Sequence, residues 1–196
     1  MGASAMVTRS HALLFSAITV IAALPAHSDA STAVSASVFI TPGAAPADDL
    51  AATPGALSLP GAQQFVAKVN ASGTALDFLA RYGGGWYDGP PQVAVDAQGS
   101  IYLAGAAGPD FPTTEGAFSR GVGPAFIAKL APNASAVAYS TRLPGCTVRD
   151  LAVDASGNAY VVGDAYATGS PLAEAFPLTP GAYDHAERLG RRAFLT

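Results

Sequence analysis

The chain has 196 residues, 50% of them hydrophobic and only 12% charged, with 21 glycines and 15 prolines. Disorder goes with low hydrophobicity and high net charge, so this composition does not favour a disordered chain. A net charge of −4 offers no electrostatic footprint for nucleic acid, and a single cysteine excludes both an intramolecular disulfide framework and a cysteine-based zinc site.

The N-terminus has the three parts of a secretory signal. Arg9 supplies the positive region, residues 12–24 are apolar apart from Ser16 and Thr19, and residues 25–30 offer small residues for cleavage after Ser28 or after Ala30. Residues 1–30 are therefore expected to be a signal peptide. The apolar run is shorter than the roughly 20 residues that a spanning helix needs, so no membrane span is expected after cleavage; an uncleaved anchor is the alternative. No cysteine follows the run at a lipidation position, which excludes a lipoprotein anchor. The expected location is secreted, periplasmic or at the cell surface.

Residues 31–53 have the Ala, Pro, Ser and Thr content of a linker. Within them, residues 37–41 read as a short strand closed by Pro42-Gly43.

From residue 54 onward the chain repeats itself. Residues 55–85 match 116–146 at an offset of 61, with Phe65, Ala67, Lys68 and Gly84 recurring as Phe126, Ala128, Lys129 and Gly145. The segment VAVDAQGSIYLAG at 93–105 matches LAVDASGNAYVVG at 151–163, with seven of thirteen positions identical. FPTTEGAF at 111–118 matches FPLTPGAY at 176–183. The repeating segment thus covers 54–196, in units of approximately 54–115 and 116–181 with a partial third at 182–196.

Each unit reads as four strands: 64–69, 76–82, 93–95 and 101–103 in the first, with 125–130 and 137–143 opening the second. Val93 and Val95 alternate with Ala94 and Asp96, which is period-two patterning. Asp96 to Gly99 is a hairpin connection in which the aspartate bonds the backbone two residues on and the glycine takes a positive φ; Asp154 to Gly157 repeats it. No stretch of the mature chain has helical periodicity, so the fold class is all-β.

Four antiparallel strands repeated in tandem suggest a propeller blade, which must stack face to face on its neighbours because alone it cannot cover both of its faces. Ala67, Ala94, Ala128 and Ala152 suit close packing between blades. In order and twice over, these motifs resemble the bacterial seven-bladed β-propeller repeat (SBBP) across residues 53–196. The resemblance implies an incomplete propeller of about two complete four-stranded antiparallel blades plus partial ones, in an exported bacterial protein, and it implies no general enzymatic activity. The loop at 83–89 keeps the repeat's Gly/Asp-rich connection, whereas residues 143–149 replace it with a different rim loop. Seven blades would need roughly 430 residues. The chain is thus expected either to be a piece of a longer protein, as its end inside a strand motif favours, or to self-associate to close the propeller.

The chemistry-bearing residues have structural readings. Asp96 and Asp154 are expected to serve turns rather than calcium, since EF-hand spacing is absent. The loop at 83–89 lacks the Lys-Ser/Thr ending of a phosphate loop, so no cofactor is expected. Trp86, Tyr87 and Asp88 form a candidate ligand-contact loop for an unknown protein or glycan, the alternative for Trp86 being a filler between blades. Asn70-Ala-Ser72 and Asn133-Ala-Ser135 fit a glycosylation sequon but fall at expected turns. His185 has no nucleophile elbow beside it. Arg188, Arg191 and Arg192 form a basic cluster too small for nucleic acid, and Lys68 and Lys129 read as solvent-facing strand lysines. No catalytic or metal-binding residue is assigned. The expected function is a non-catalytic binding or scaffolding module of the bacterial envelope or exterior, with specificity in the parts that differ between units: 83–91, 145–149 and 165–175. The competing readings are a propeller-type hydrolase or lactonase fragment and a truncated product without independent function.

Overall fold

The computed structural model describes residues 51–59, 62, 64–83, 91–118, 123–165 and 180, together with the backbone of two short strands at Val38–Ile40 and Arg192–Leu195. Among the described residues there is no helix. The strands in chain order are β1 (Val38–Ile40), β2 (Gln64–Val69), β3 (Leu76–Tyr82), β4 (Gln92–Val95), β5 (Ile101–Ala106), β6 (Ala125–Leu130), β7 (Val137–Leu143), β8 (Cys146–Val153), β9 (Ala159–Ala165) and β10 (Arg192–Leu195).

They form three open antiparallel sheets. The first sheet is β1-β2-β3, the central one β4-β5-β6-β7, and the third β8-β9-β10. The four-stranded sheet is therefore offset by half a unit from the sequence repeat. It joins the last two strands of one unit to the first two of the next. The reason is in the connections: residues 83–91 and the Pro144-Gly145 turn pass from one sheet to another, while β5 and β6 pair across the segment 107–124.

Equivalent strands keep equivalent registers. Gly105 pairs Phe126 where β5 meets β6, and Gly163 pairs Phe194 where β9 meets β10. At the other end, Ile40 pairs Ala67 as Leu103 pairs Ala128. The short strand expected at 37–41 thus occupies the register of β5 in the sheet before. Bulges fall at matching places too, between Lys68 and Val69 and between Lys129 and Leu130.

The sheets stack in layers. Val66, Ala80 and Tyr82 of the first sheet pack against Ile101, Leu103 and Phe126 of the central one. The opposite face of the central sheet, with Ala94, Tyr102, Ala104 and Ile127, packs against Cys146, Leu151 and Val161 of the third. This explains why β5 and β6 read as almost continuous apolar runs: both of their faces are buried. Each large apolar side chain so covered contributes about 1.5–3 kcal/mol, against about 1 kcal/mol for a net hydrogen bond. Packing therefore holds the layers together, and polar contacts fix how they align.

The small residues divide unequally. Ala94 and Ala128 are buried between layers as expected, whereas Ala67 is buried on the outer face of the first sheet and Ala152 lies exposed on the outer face of the third.

Candidate functional site

The two hairpin aspartates do what their spacing implies. Asp96 Oδ1 accepts the backbone N–H groups of Gln98 at 3.1 Å and Ser100 at 2.8 Å, and Gly99 stands at φ +85°. Asp154 Oδ1 likewise accepts from Ser156 at 2.9 Å and Asn158 at 2.8 Å, with Gly157 at φ +82°. Those contacts occupy one carboxylate oxygen in each case and leave the second free to do something else.

In the central sheet the second oxygen builds a latch between layers. The Tyr102 hydroxyl lies 3.1 Å from Asp96 Oδ2 and 3.0 Å from the carbonyl of Gly157, which belongs to the β8–β9 turn of the third sheet. Lys129 Nζ sits 3.2 Å from the same Asp96 oxygen and 4.7 Å from the centre of the Tyr102 ring. The lysine therefore does not face open solvent as its sequence position suggests: its side chain is 25% exposed, and that of Asp96 only 3%. Burial alone would push the Asp96 carboxyl up. The Ser100 N–H, Lys129 and Tyr102 outweigh that and hold it below its usual value of 3.8. Lys68, the counterpart of Lys129, pairs instead with Asp77 at 3.3 Å.

A different tyrosine aligns the first two layers. The buried Tyr82 hydroxyl donates to Ser140 Oγ of β7 at 2.7 Å, and Ser140 Oγ donates on to the Pro112 carbonyl at 2.6 Å. Burial pushes the Tyr82 hydroxyl up to about 12, with Ser140 working against it.

The FPTTEGAF motif has a mechanical role. Phe111 stacks on Phe126 with ring centres 4.1 Å apart and meets Tyr82 edge-on at 5.5 Å. Thr114 then pairs with the outer strand: its N–H donates to the Ser140 carbonyl at 3.0 Å, and its Oγ1 accepts the Ser140 N–H at 3.1 Å. Thr53 does the same to Leu79 one unit earlier, at 2.9 and 2.7 Å. These threonines occupy edge-strand groups that would otherwise be open to pairing with another chain.

Arg81 and Arg142 recur at the same offset of 61, a signal that the sequence reading passed over. Arg81 donates to the Ala62 carbonyl at 2.7 Å, and Arg142 to the carbonyls of Gly123 at 2.9 Å, Gly108 at 2.5 Å and Pro109 at 2.6 Å. Each clamps the segment that leads into its own sheet. The link from Asp96 to Tyr102 was also missed, although both residues lie in the quoted repeat, because spacing alone does not show that a hairpin folds one onto the other.

Of the segments expected to carry specificity, 145–149 is no rim loop. After the Pro144-Gly145 turn, β8 runs for eight residues against four in its counterpart β4, with a bulge between Val148 and Asp150. Arg149 on this extension pairs with Asp164 at 2.6 Å. Cys146 at its start is buried, and burial pushes its thiol up to about 12. The candidate loop residues Trp86, Tyr87 and Asp88 lie outside the described residues, as do His185, Arg188 and Arg191. Asn70 and Asn133 accept hydrogen bonds from Ser72 and Ser135 within their turns.

Among the described residues, the third sheet's outer face is an exposed surface whose counterpart on the central sheet is covered. Tyr160 and Val162, at the positions of Tyr102 and Ala104, are 45% and 36% exposed, whereas Tyr102 is wholly buried. Among the described residues no three His, Cys, Asp or Glu side chains gather as metal ligands, and no helix is long and apolar enough to cross a membrane. No family model matches this sequence, and no curated protein matches it.

Proposed function

We propose that the chain is an exported β-propeller repeat segment of the SBBP type, acting outside the cytoplasm as a non-catalytic binding or scaffolding module. One observation carries the reading: a four-stranded sheet lies between two sheets of the same repeat, in matching register and with both faces sealed. Side-by-side stacking of four-stranded sheets is the arrangement from which propellers are built. The recurring polar residues support the non-catalytic part. Asp96, Asp154, Arg81, Arg142, Thr53 and Thr114 are each engaged in a turn, a clamp or an edge. Function in repeat folds then belongs to what differs between units, with a protein or glycan as the ligand class.

Expression of the full chain in a Gram-negative bacterium, with fractionation and intact-mass analysis, tests the export half. The expected product lies in the periplasm or medium and begins at Asp29 or Ser31. A full-length product confined to the cytoplasm would overturn it. Hydrolysis of lactone or ester substrates by the purified protein, abolished by Asp96→Asn with the fold intact, would overturn the non-catalytic half.

A further inference from the structure

We propose that the outer face of the third sheet is an interface for a second copy of this chain, which docks there through the outer face of its own first sheet. The inference rests on the stacked-repeat reading given above. Inside the molecule one sense of stacking is used twice, with Val66 and Leu103 in the core between the first and central sheets where their equivalents Ile127 and Val161 lie in the core between the central and third. Among the described residues, the outer faces of the first and third sheets carry the two remaining halves of this stacking.

One half is the surface of Ala152, Tyr160 and Val162. In the central sheet the same positions are Ala94, Tyr102 and Ala104, and they are buried beneath Leu151 and Val161 of the next layer. Tyr160 keeps the local part of the latch, with its hydroxyl 3.1 Å from Asp154 Oδ2. Tyr102 has, in addition, a carbonyl of the next sheet to reach.

The other half lies on the first sheet. Phe65 and Ala67 hold the positions of Phe126 and Ala128, and the β1 register sets Val38 and Ile40 at those of Ile101 and Leu103. Ala67 is already buried, whereas Phe65 is only half-buried where Phe126 is wholly so. Phe65 is therefore the residue with most left to cover. Charge argues against the alternative, in which the third-sheet faces of two copies meet across a two-fold axis. That pairing would set the exposed Asp150 and the nearby Asp154 of one copy against their equals in the other. Docking head to tail sets them against a face that carries Arg81, the strand partner of Phe65.

The test is sedimentation of the mature chain over a range of concentrations, with oxidative footprinting of its tyrosines. The wild type is expected to associate, and modification of Tyr160 to slow as it does, while Tyr82 and Tyr102 stay protected throughout. Val162→Lys changes an exposed position and should weaken association by about tenfold or more. Phe65→Lys should do the same from the other end, with Phe65→Ala as its milder replacement should the lysine variant unfold. A mixture of the two end variants should regain association, because each retains the half that the other lacks. A wild type that stays monomeric with Tyr160 freely modified would overturn the proposal. So would Phe65→Lys associating alone as the wild type does, which is the two-fold result. Hydrogen exchange at β5 and β6 separates the two levels: slow exchange without association removes the docking alone, and fast exchange removes the stacked reading beneath it.

Discussion

Tyr102 and Tyr160 occupy the same place in successive repeats and differ in what surrounds them. The Tyr102 hydroxyl has a carboxylate on its own sheet and a carbonyl on the next within 3.1 Å; Tyr160 has the carboxylate only. Replacing Tyr102 by Phe removes the single hydroxyl proton that the Asp96 carboxylate and the Gly157 carbonyl share, so a loss of about 2 kcal/mol is expected in urea unfolding. Tyr160→Phe, on an exposed face, should leave the urea midpoint close to that of the wild type. Equal losses in the two variants would show that the hydroxyl does not join the layers. Acid should read the same cluster. The Asp96 carboxyl titrates below 3.8 in the folded chain, so its contribution is complete above that value and fades as the pH falls through the lower, folded one. Lys129 is raised above 10.5, by Tyr102 first and then Asp96 against burial, so its share is present below 10.5 and fades at higher pH. Urea midpoints measured from pH 7 to pH 2 should fall less steeply for Asp96→Asn than for the wild type.

At the scale of the element, the β8–β9 turn serves two sheets at once, whereas the β4–β5 turn serves one. Gly99 and Gly157 both adopt positive φ, so alanine at either is strained by about 1–2 kcal/mol. A Cβ on Gly157 would also stand 3.1 Å from the Tyr102 hydroxyl, while one on Gly99 would meet only the Pro132 ring at 3.4 Å. Gly157→Ala should therefore cost about 1 kcal/mol more than Gly99→Ala, and Tyr102→Phe should remove most of that difference in a double-mutant cycle. These turns were legible from their Asp and Gly spacing because the chemistry is local. The strands at 64–69, 76–82, 125–130 and 137–143 were legible too, from apolar runs between polar turns. Which strands share a sheet was not. Pro144-Gly145 is as short as a hairpin turn yet crosses between layers, while the long 107–124 connection returns to the strand next door. Nor did an alternating pattern identify Lys129 as half-buried, since its cover comes from Tyr102 and Asp96 on neighbouring segments. The candidate loop at Trp86, Tyr87 and Asp88 was read from residue types alone, and residue types do not fix where a glycine-rich loop sits.

Across the whole molecule, stability should be graded by layer, because the central sheet has an apolar layer on both sides and the third has one on one side only. Backbone bonds in β5 and β9 are alike in number: each strand lies inside its sheet, paired on both edges. What differs is the cover over their faces, and local opening follows buried apolar contact rather than hydrogen-bond count. Amides of Leu103, Ala104, Ile127 and Ala128 should thus exchange only through global unfolding. Those of Tyr160 and Val162 should exchange about tenfold faster or more, through an opening of the third sheet that leaves the other two in place. Cys146 gives an independent reading of that opening. It is buried between the central and third sheets, and its thiol titrates near 12, so a thiol reagent at pH 8 should label it only when they part. Labelling at the rate of Tyr160 exchange would place the weak boundary between those two layers. Labelling at the rate of Leu103 exchange would mean that the three sheets open together, as one cooperative body.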